Sequence, residues 1–202
     1  IAPKDEPGDE IIPDSEEIDG FQTVVLSDMT GYWGDALSVY LREGPNTLSL
    51  TMDSESIEIR EWILCNDPEP AAYASYAEQH GSEETGDYIQ YIEAERIAAK
   101  SDVTIYPLND RTSPSTSPYN PREKNLNTIG AAKWDKAGQY LEWPIEVPED
   151  GLYRIALKYR QNINDGMSSY RRITIDGTTP FEELSSVAFP YHLNWQNLTL
   201  GG

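Results

Sequence analysis

Residues 138–177, GQYLEWPIEVPEDGLYRIALKYRQNINDGMSSYRRITIDG, decide the fold class of this chain. They hold three alternating runs, Gln139–Val147, Leu152–Gln161 and Tyr170–Ile175. Leu141, Trp143, Ile145 and Val147 share one parity, and Tyr153, Ile155, Leu157 and Tyr159 share another. A period of two places one face of each run in a core and the other in water, as antiparallel strands require. The breaks are turn chemistry. Pro148-Glu149-Asp150-Gly151 suits a hairpin, and Asp176-Gly177 suits a turn with positive φ. The runs predict a β-meander, with Leu141, Trp143, Ile145, Ile155 and Leu157 buried and Gln139, Glu142 and Glu146 exposed. The expected class is all-β, a β-sandwich, whose function lies on its edge loops.

Working outward, the 14 prolines, 14 glycines and 38 % hydrophobic content favour many short strands over long helices. The 202 residues allow one large β domain or two of roughly 100 residues each. Charge is uneven: residues 1–90 carry 21 acids against 3 Lys/Arg, whereas residues 91–202 carry 14 against 12. A net charge of −20 argues against nucleic acid or an anionic membrane as partner. The lone Cys65 forbids an intrachain disulfide or a CxxC metal site. No apolar run approaches the length of about 20 residues that spans a bilayer, so no membrane insertion is expected. No signal peptide precedes Ile1, which reads as a chain taken from within a longer, multidomain protein.

Four segments follow. Residues 1–20 are acidic and proline-broken, an expected flexible arm. Residues 21–66 hold a strand at Phe21–Leu26, a hairpin of Leu37–Leu41 and Thr47–Met52 about the Glu43–Asn46 turn, and a strand at Ile57–Leu64. Residues 67–87 read as a linker with a short helix over 71–80, Tyr73 and Tyr76 lying three apart on one face. Residues 88–202 open on an expected strand at 88–95. Within them, 108–127 (LNDRTSPSTSPYNPREKNLN) is a long polar segment expected to be ordered and functional.

Read together, YIEAERI (91–97), LNTIG (126–130), WDKAGQYLEWPIEVPEDGLYRIALKYRQN (134–162), YRRITIDG (170–177) and FPYHLNWQNLTLG (189–201) resemble the galactose-binding-like jelly roll. The resemblance is to carbohydrate-binding modules of the family 6 and family 35 type, as attached to bacterial extracellular solute-binding proteins of sugar ABC transporters. Residues 21–66 resemble the C-terminal half of such a module, on the YLREGPNTLSL hairpin (40–50), and residues 88–202 its N-terminal part. Phe21–Val24 and Trp195–Leu198 resemble the same strand in two copies, which implies two partial jelly rolls. The alternative is that 21–66 and 88–202 pair as one permuted sandwich. The resemblance implies an extracellular or cell-surface bacterial location.

Glu93 and Glu95, two apart on the expected strand, would face the same side and offer hard oxygens suited to calcium. The resemblance supports a structural calcium there; a solvated pair of edge acids is the alternative. With no opposing carboxylate across a sugar, the pair does not read as a glycosidase centre. No catalytic residue is assigned. Trp134, in the 131–138 loop, and Tyr191, after Pro190, are loop aromatics that can stack on the C–H face of a pyranose. Asn127, Arg111 and Asn194 are the accompanying polar candidates, and Tyr32 with Trp33 could form a second platform. His80 and His192 trace no nucleophilic triad, and Cys65 reads as an inert strand-end thiol. The leading expectation is therefore a non-catalytic module that binds an oligo- or polysaccharide. A structural or protein-interaction spacer of the same fold is the other reading, and exposure of Trp134 or Tyr191 divides the two.

Overall fold

The computed structural model describes residues 2–18, 20, 23–26, 37–51, 53–54, 56–66, 69–81 and 88–200. Phe21-Gln22, the Tyr32–Trp33 platform, Met52, Asp67-Pro68 and residues 82–87 lie outside these, so the readings made on them are not addressed. The chain divides into two units, one of residues 1–16 with 70–202 and the other of residues 17–69.

In the larger unit, among the described residues, one α-helix and eight short strands form. The helix α1 (Tyr73–His80) is followed by β1 (Ala99–Lys100), β2 (Pro107–Leu108), β3 (Thr128–Ile129), β4 (Leu141–Glu142), β5 (Ala156–Tyr159), β6 (Ser169–Arg171), β7 (Val187–Phe189) and β8 (Gln196–Thr199). The pairs are all antiparallel and nested: β1 with β4 around β2 with β3, then β5 with β8 around β6 with β7. The unit is thus mostly non-helical and built on small antiparallel pairs.

This pairing corrects the meander. None of the three alternating runs pairs with the next; β4 finds β1 and β5 finds β8. The Pro148–Gly151 turn therefore closes no hairpin. The strands on either side of it pair instead with segments about 40 residues away. The Asp176-Gly177 turn does have its positive φ values, +51° and +79°, and closes the Ile175–Thr178 bridge.

The alternation survives where a partner strand exists. Ile155, Leu157 and Tyr159 are half-buried, while Arg154, Ala156 and Lys158 between them are exposed. Leu157 lies opposite Leu198, and Tyr159 meets the edge of Phe189 with ring centroids 5.0 Å apart. Leu141 and Trp143 are likewise half-buried, but Ile145 and Val147 are exposed at 51 % and 49 % and Gln139 is half-buried. The β1–β4 ladder stops at Glu142; beyond it Trp143 Nε1 still donates to Ala94 O, whereas Ile145 and Val147 have no ladder partner among the described residues. Residues 88–95 are not a strand; Arg96 N–H donates to Glu93 O, making a turn at Ala94–Glu95.

Phe181, Leu184 and Val187 form the buried centre, ringed by Tyr73, Tyr76, Ile173, Phe189, Leu198 and Leu200. Tyr73 and Tyr76, three apart on α1, both pack on Phe181 at 4.9 and 5.3 Å. The Tyr73 N–H lacks a local cap and donates instead to Glu183 Oε2 at 2.9 Å, a carboxylate placed where the helix dipole favours it.

The acidic arm, expected to be loose, is tied to the larger unit. Glu10 N–H donates to Lys124 O, while Lys124 and Leu126 N–H donate to the Asp9 and Glu10 carboxylates at 2.6 Å. In the smaller unit the 42–46 turn forms, with Asn46 Nδ2 donating to Arg42 O and Gly44 O. The expected hairpin ladder around it is not present among the described residues, and Val39, Leu48, Leu50, Ile57 and Trp62 are exposed. Strand-length segments bury such apolar surface only when a ladder and a facing layer form.

Candidate functional site

Trp134 sits at the end of a one-turn 3-10 helix, Ala131–Lys133, that follows Gly130. Gly130 has φ +103°, a backbone conformation that favours glycine. Two contacts fix the half-buried indole. Its Nε1 donates to Gln139 O at 3.0 Å, and the Arg171 guanidinium stacks 4.4 Å from the ring centroid. Arg171 also donates from Nη2 to Trp134 O and from Nη1 to Tyr170 O. Burial pulls the Arg171 pKa below its ordinary value. Arg171 was not singled out in the sequence, although a signal existed: it shares the inward parity of Ile173 in the Tyr170–Ile175 run. A cation in a core register must find carbonyls or an aromatic face, and this one has both.

Asn127 is bonded to the chain itself. It is buried at 8 %, with Nδ2 donating to Asp110 O and Pro118 O and Oδ1 accepting from Asp110 N–H. Its amide is saturated by the chain and clamps the 108–127 segment rather than facing a ligand. The same segment is held from β5 and beyond. Arg160 pairs with Asp110 at 2.9 Å, donates to Thr112 Oγ1 and stacks over Trp195 at 4.9 Å, while Lys158 donates to Ser115 O. Burial opposes charge on Asp110, but Thr112 and Arg160 outweigh it and hold the carboxyl below the usual carboxylate range.

Tyr191 is half-buried beside Pro190, whose carbonyl accepts from Tyr159, and His192 N–H donates to Gln161 O. Arg111 and Asn194 are exposed. No contact brings Tyr191, Arg111 or Asn194 to Trp134 among the described residues. A small pocket of about 200 Å³, lined by Tyr76, His80, Asp150, Gly151 and Leu152, contains none of the five.

Glu93 precedes the turn and Glu95 lies within it, so the shared strand face expected for them is not formed. Glu95 is pushed above its ordinary pKa by burial, with the Glu93 and Glu10 charges adding to this. Calcium takes six to eight oxygens; among the described residues no third His, Cys, Asp or Glu joins the pair in a ligand cluster.

The chain matches no protein-family model, no curated protein and no solved structure. No helix among the described residues is long and apolar enough to cross a membrane.

Proposed function

We propose that the chain is a non-catalytic carbohydrate-binding module, in which Trp134 is the stacking platform for an oligo- or polysaccharide. The observation that carries this is the mounting of the ring. An indole in a loop, fixed through its nitrogen and Arg171, is ordered before any ligand arrives. Rigid aromatic surface binds a hydrated sugar with little ordering cost. The nested antiparallel pairing favours a jelly-roll sandwich as the parent fold, since such folds close outer strands around inner ones. The sequence resemblance adds the setting: a surface-exposed bacterial protein engaged in sugar uptake or glycan degradation.

The spacer reading keeps one observation in its favour. Asn127 is wholly committed to the loop, and Trp134 is itself half-buried, as parts of a purely structural lid would be. A glycan array probed with the whole chain separates the two. Binding to a defined set of plant or bacterial oligosaccharides supports the module, and binding to none leaves the spacer.

A further inference from the structure

We infer that the acidic arm is an edge guard: Asp9 and Glu10 cover the outer edge of residues 124–127 in place of a strand, and their release lets that edge pair with the same edge of a second copy of the chain.

The alternation of backbone bonds carries this. β3 pairs with β2, and the pairing continues back along the chain beyond the ladder. Asn127 N–H donates to Leu108 O at 3.0 Å, and Asn125 O accepts from Asn109 Nδ2, so residues 125 and 127 turn toward the β2 side. Lys124 and Leu126 turn the other way. Lys124 N–H donates to Asp9 Oδ1 and Leu126 N–H to Glu10 Oε2, both at 2.6 Å, while Lys124 O accepts from Glu10 N–H at 2.8 Å. A period of two with bonds on opposite edges is the geometry of an extended strand. Asn125, Leu126 and Asn127 are buried, as the middle one of three adjoining segments should be.

The arm covers this edge without being a strand. It supplies one backbone bond, and two carboxylates stand where a strand's carbonyls would stand. Its own backbone is turned on itself: Asp5 Oδ1 accepts from Gly8 and Asp9 N–H, and Lys4 bridges to Glu10. An open row of N–H and C=O groups is a template for another chain, and side-chain carboxylates satisfy its donors without offering a new row. Local charge works against the cover. Burial pushes the Glu95 carboxyl up, and the Glu93 and Glu10 charges add to this, so Glu10 is seated among like charges. A cover held by three bonds against that repulsion can open while the pair beneath it stays formed. The edge is also self-complementary. With residues 124 and 126 facing outward, a two-fold axis at Asn125 sets Lys124 of one copy against Leu126 of the second copy, where antiparallel strands exchange both bonds.

The test is amide exchange followed by NMR in dilute protein, with sedimentation velocity over a concentration series, on the whole chain. Salt is held at about 0.15 M to screen the net charge of −20. The guard variant is Asp9→Ala with Glu10→Ala, and Asp14→Ala with Glu16→Ala matches its charge loss. In the wild type, the Lys124 and Leu126 amides should exchange through an opening that leaves Asn127 protected, a reading that stands even if the guard variant does not fold. In the guard variant those two amides should exchange at least about tenfold faster with Asn127 unchanged. A dimer should then grow with concentration, absent from the wild type and from the charge control. Unchanged exchange at Lys124 and Leu126 overturns the inference by removing the contact. Release of all three amides together overturns it by making the arm an inseparable part of the fold. A released edge that stays monomeric overturns it too, and a dimer in the charge control does so by assigning association to lost charge.

Discussion

Replacing Asn127 with alanine separates a loop clamp from a ligand contact. The wild-type amide donates to Asp110 O and Pro118 O at 3.0 Å each and accepts from Asp110 N–H at 2.8 Å. Each such bond contributes about 0.5–1.5 kcal/mol net, and a buried backbone N–H left without an acceptor costs about 1–3 kcal/mol. Alanine removes all three bonds and orphans Asp110 N–H, while nearby backbone relaxes in part. The expected loss is about 2–4 kcal/mol. Urea denaturation followed by tryptophan fluorescence measures it, because Trp195 lies against Arg160 at the far side of the clamp. Sugar affinity of the folded variant should stay within about twofold of wild type. A loss below about 0.5 kcal/mol, or weakened binding at unchanged stability, would refute the clamp and return Asn127 to the ligand.

Three further outcomes follow from the packing and charge. Asp110, held below its ordinary pKa of 3.8, stabilises the fold above that value, and the contribution is lost as pH falls through the lower folded value. Asp110→Asn should therefore flatten the acid limb of the urea midpoint; an unchanged acid limb contradicts the ion pair with Arg160. Glu95, raised above 4.5, contributes stability below that pH, and this is lost as pH rises through its folded value. Glu95→Gln should thus raise the midpoint at neutral pH and lose that advantage in acid, and a lowered neutral midpoint counts against the burial argument. Phe181→Ala, at the buried centre where Tyr73 and Tyr76 dock, should cost about 3 kcal/mol and reduce the helical circular dichroism signal. Retention of that signal in the folded variant would show that α1 does not depend on the ring.

Local periodicity was legible wherever a ladder formed. The inward parity of Ile155, Leu157 and Tyr159, the docking face of Tyr73 and Tyr76, and the positive φ at Asp176-Gly177 are properties of short windows. Pairing was not legible. Ile145 and Val147 continue the alternation of Leu141 and Trp143, yet stay exposed because β4 ends at Glu142. An alternating pattern states which face wants cover, not which segment supplies it. The same limit hid the arm, whose Asp9 and Glu10 reach Lys124 and Leu126 across more than a hundred residues. At the site, Trp134 was visible as a loop aromatic, whereas Arg171 was masked inside an apparent strand. The backbone bonds of Asn127 were not legible, because an amide in a polar loop looks the same in sequence whether it faces ligand or backbone.

The most direct measurement is calorimetric titration of wild type and Trp134→Ala with a panel of neutral and acidic oligosaccharides, melting each protein alongside. Loss of the indole removes the Arg171 stack, which contributes about 0.5–2 kcal/mol, so the variant should melt slightly lower but remain folded. It also removes the apolar face available to a sugar, leaving hydroxyl hydrogen bonds that mostly replace those to water. The account predicts a saccharide that binds wild type and shows no measurable binding to the variant. A folded variant that binds as well as wild type would contradict it.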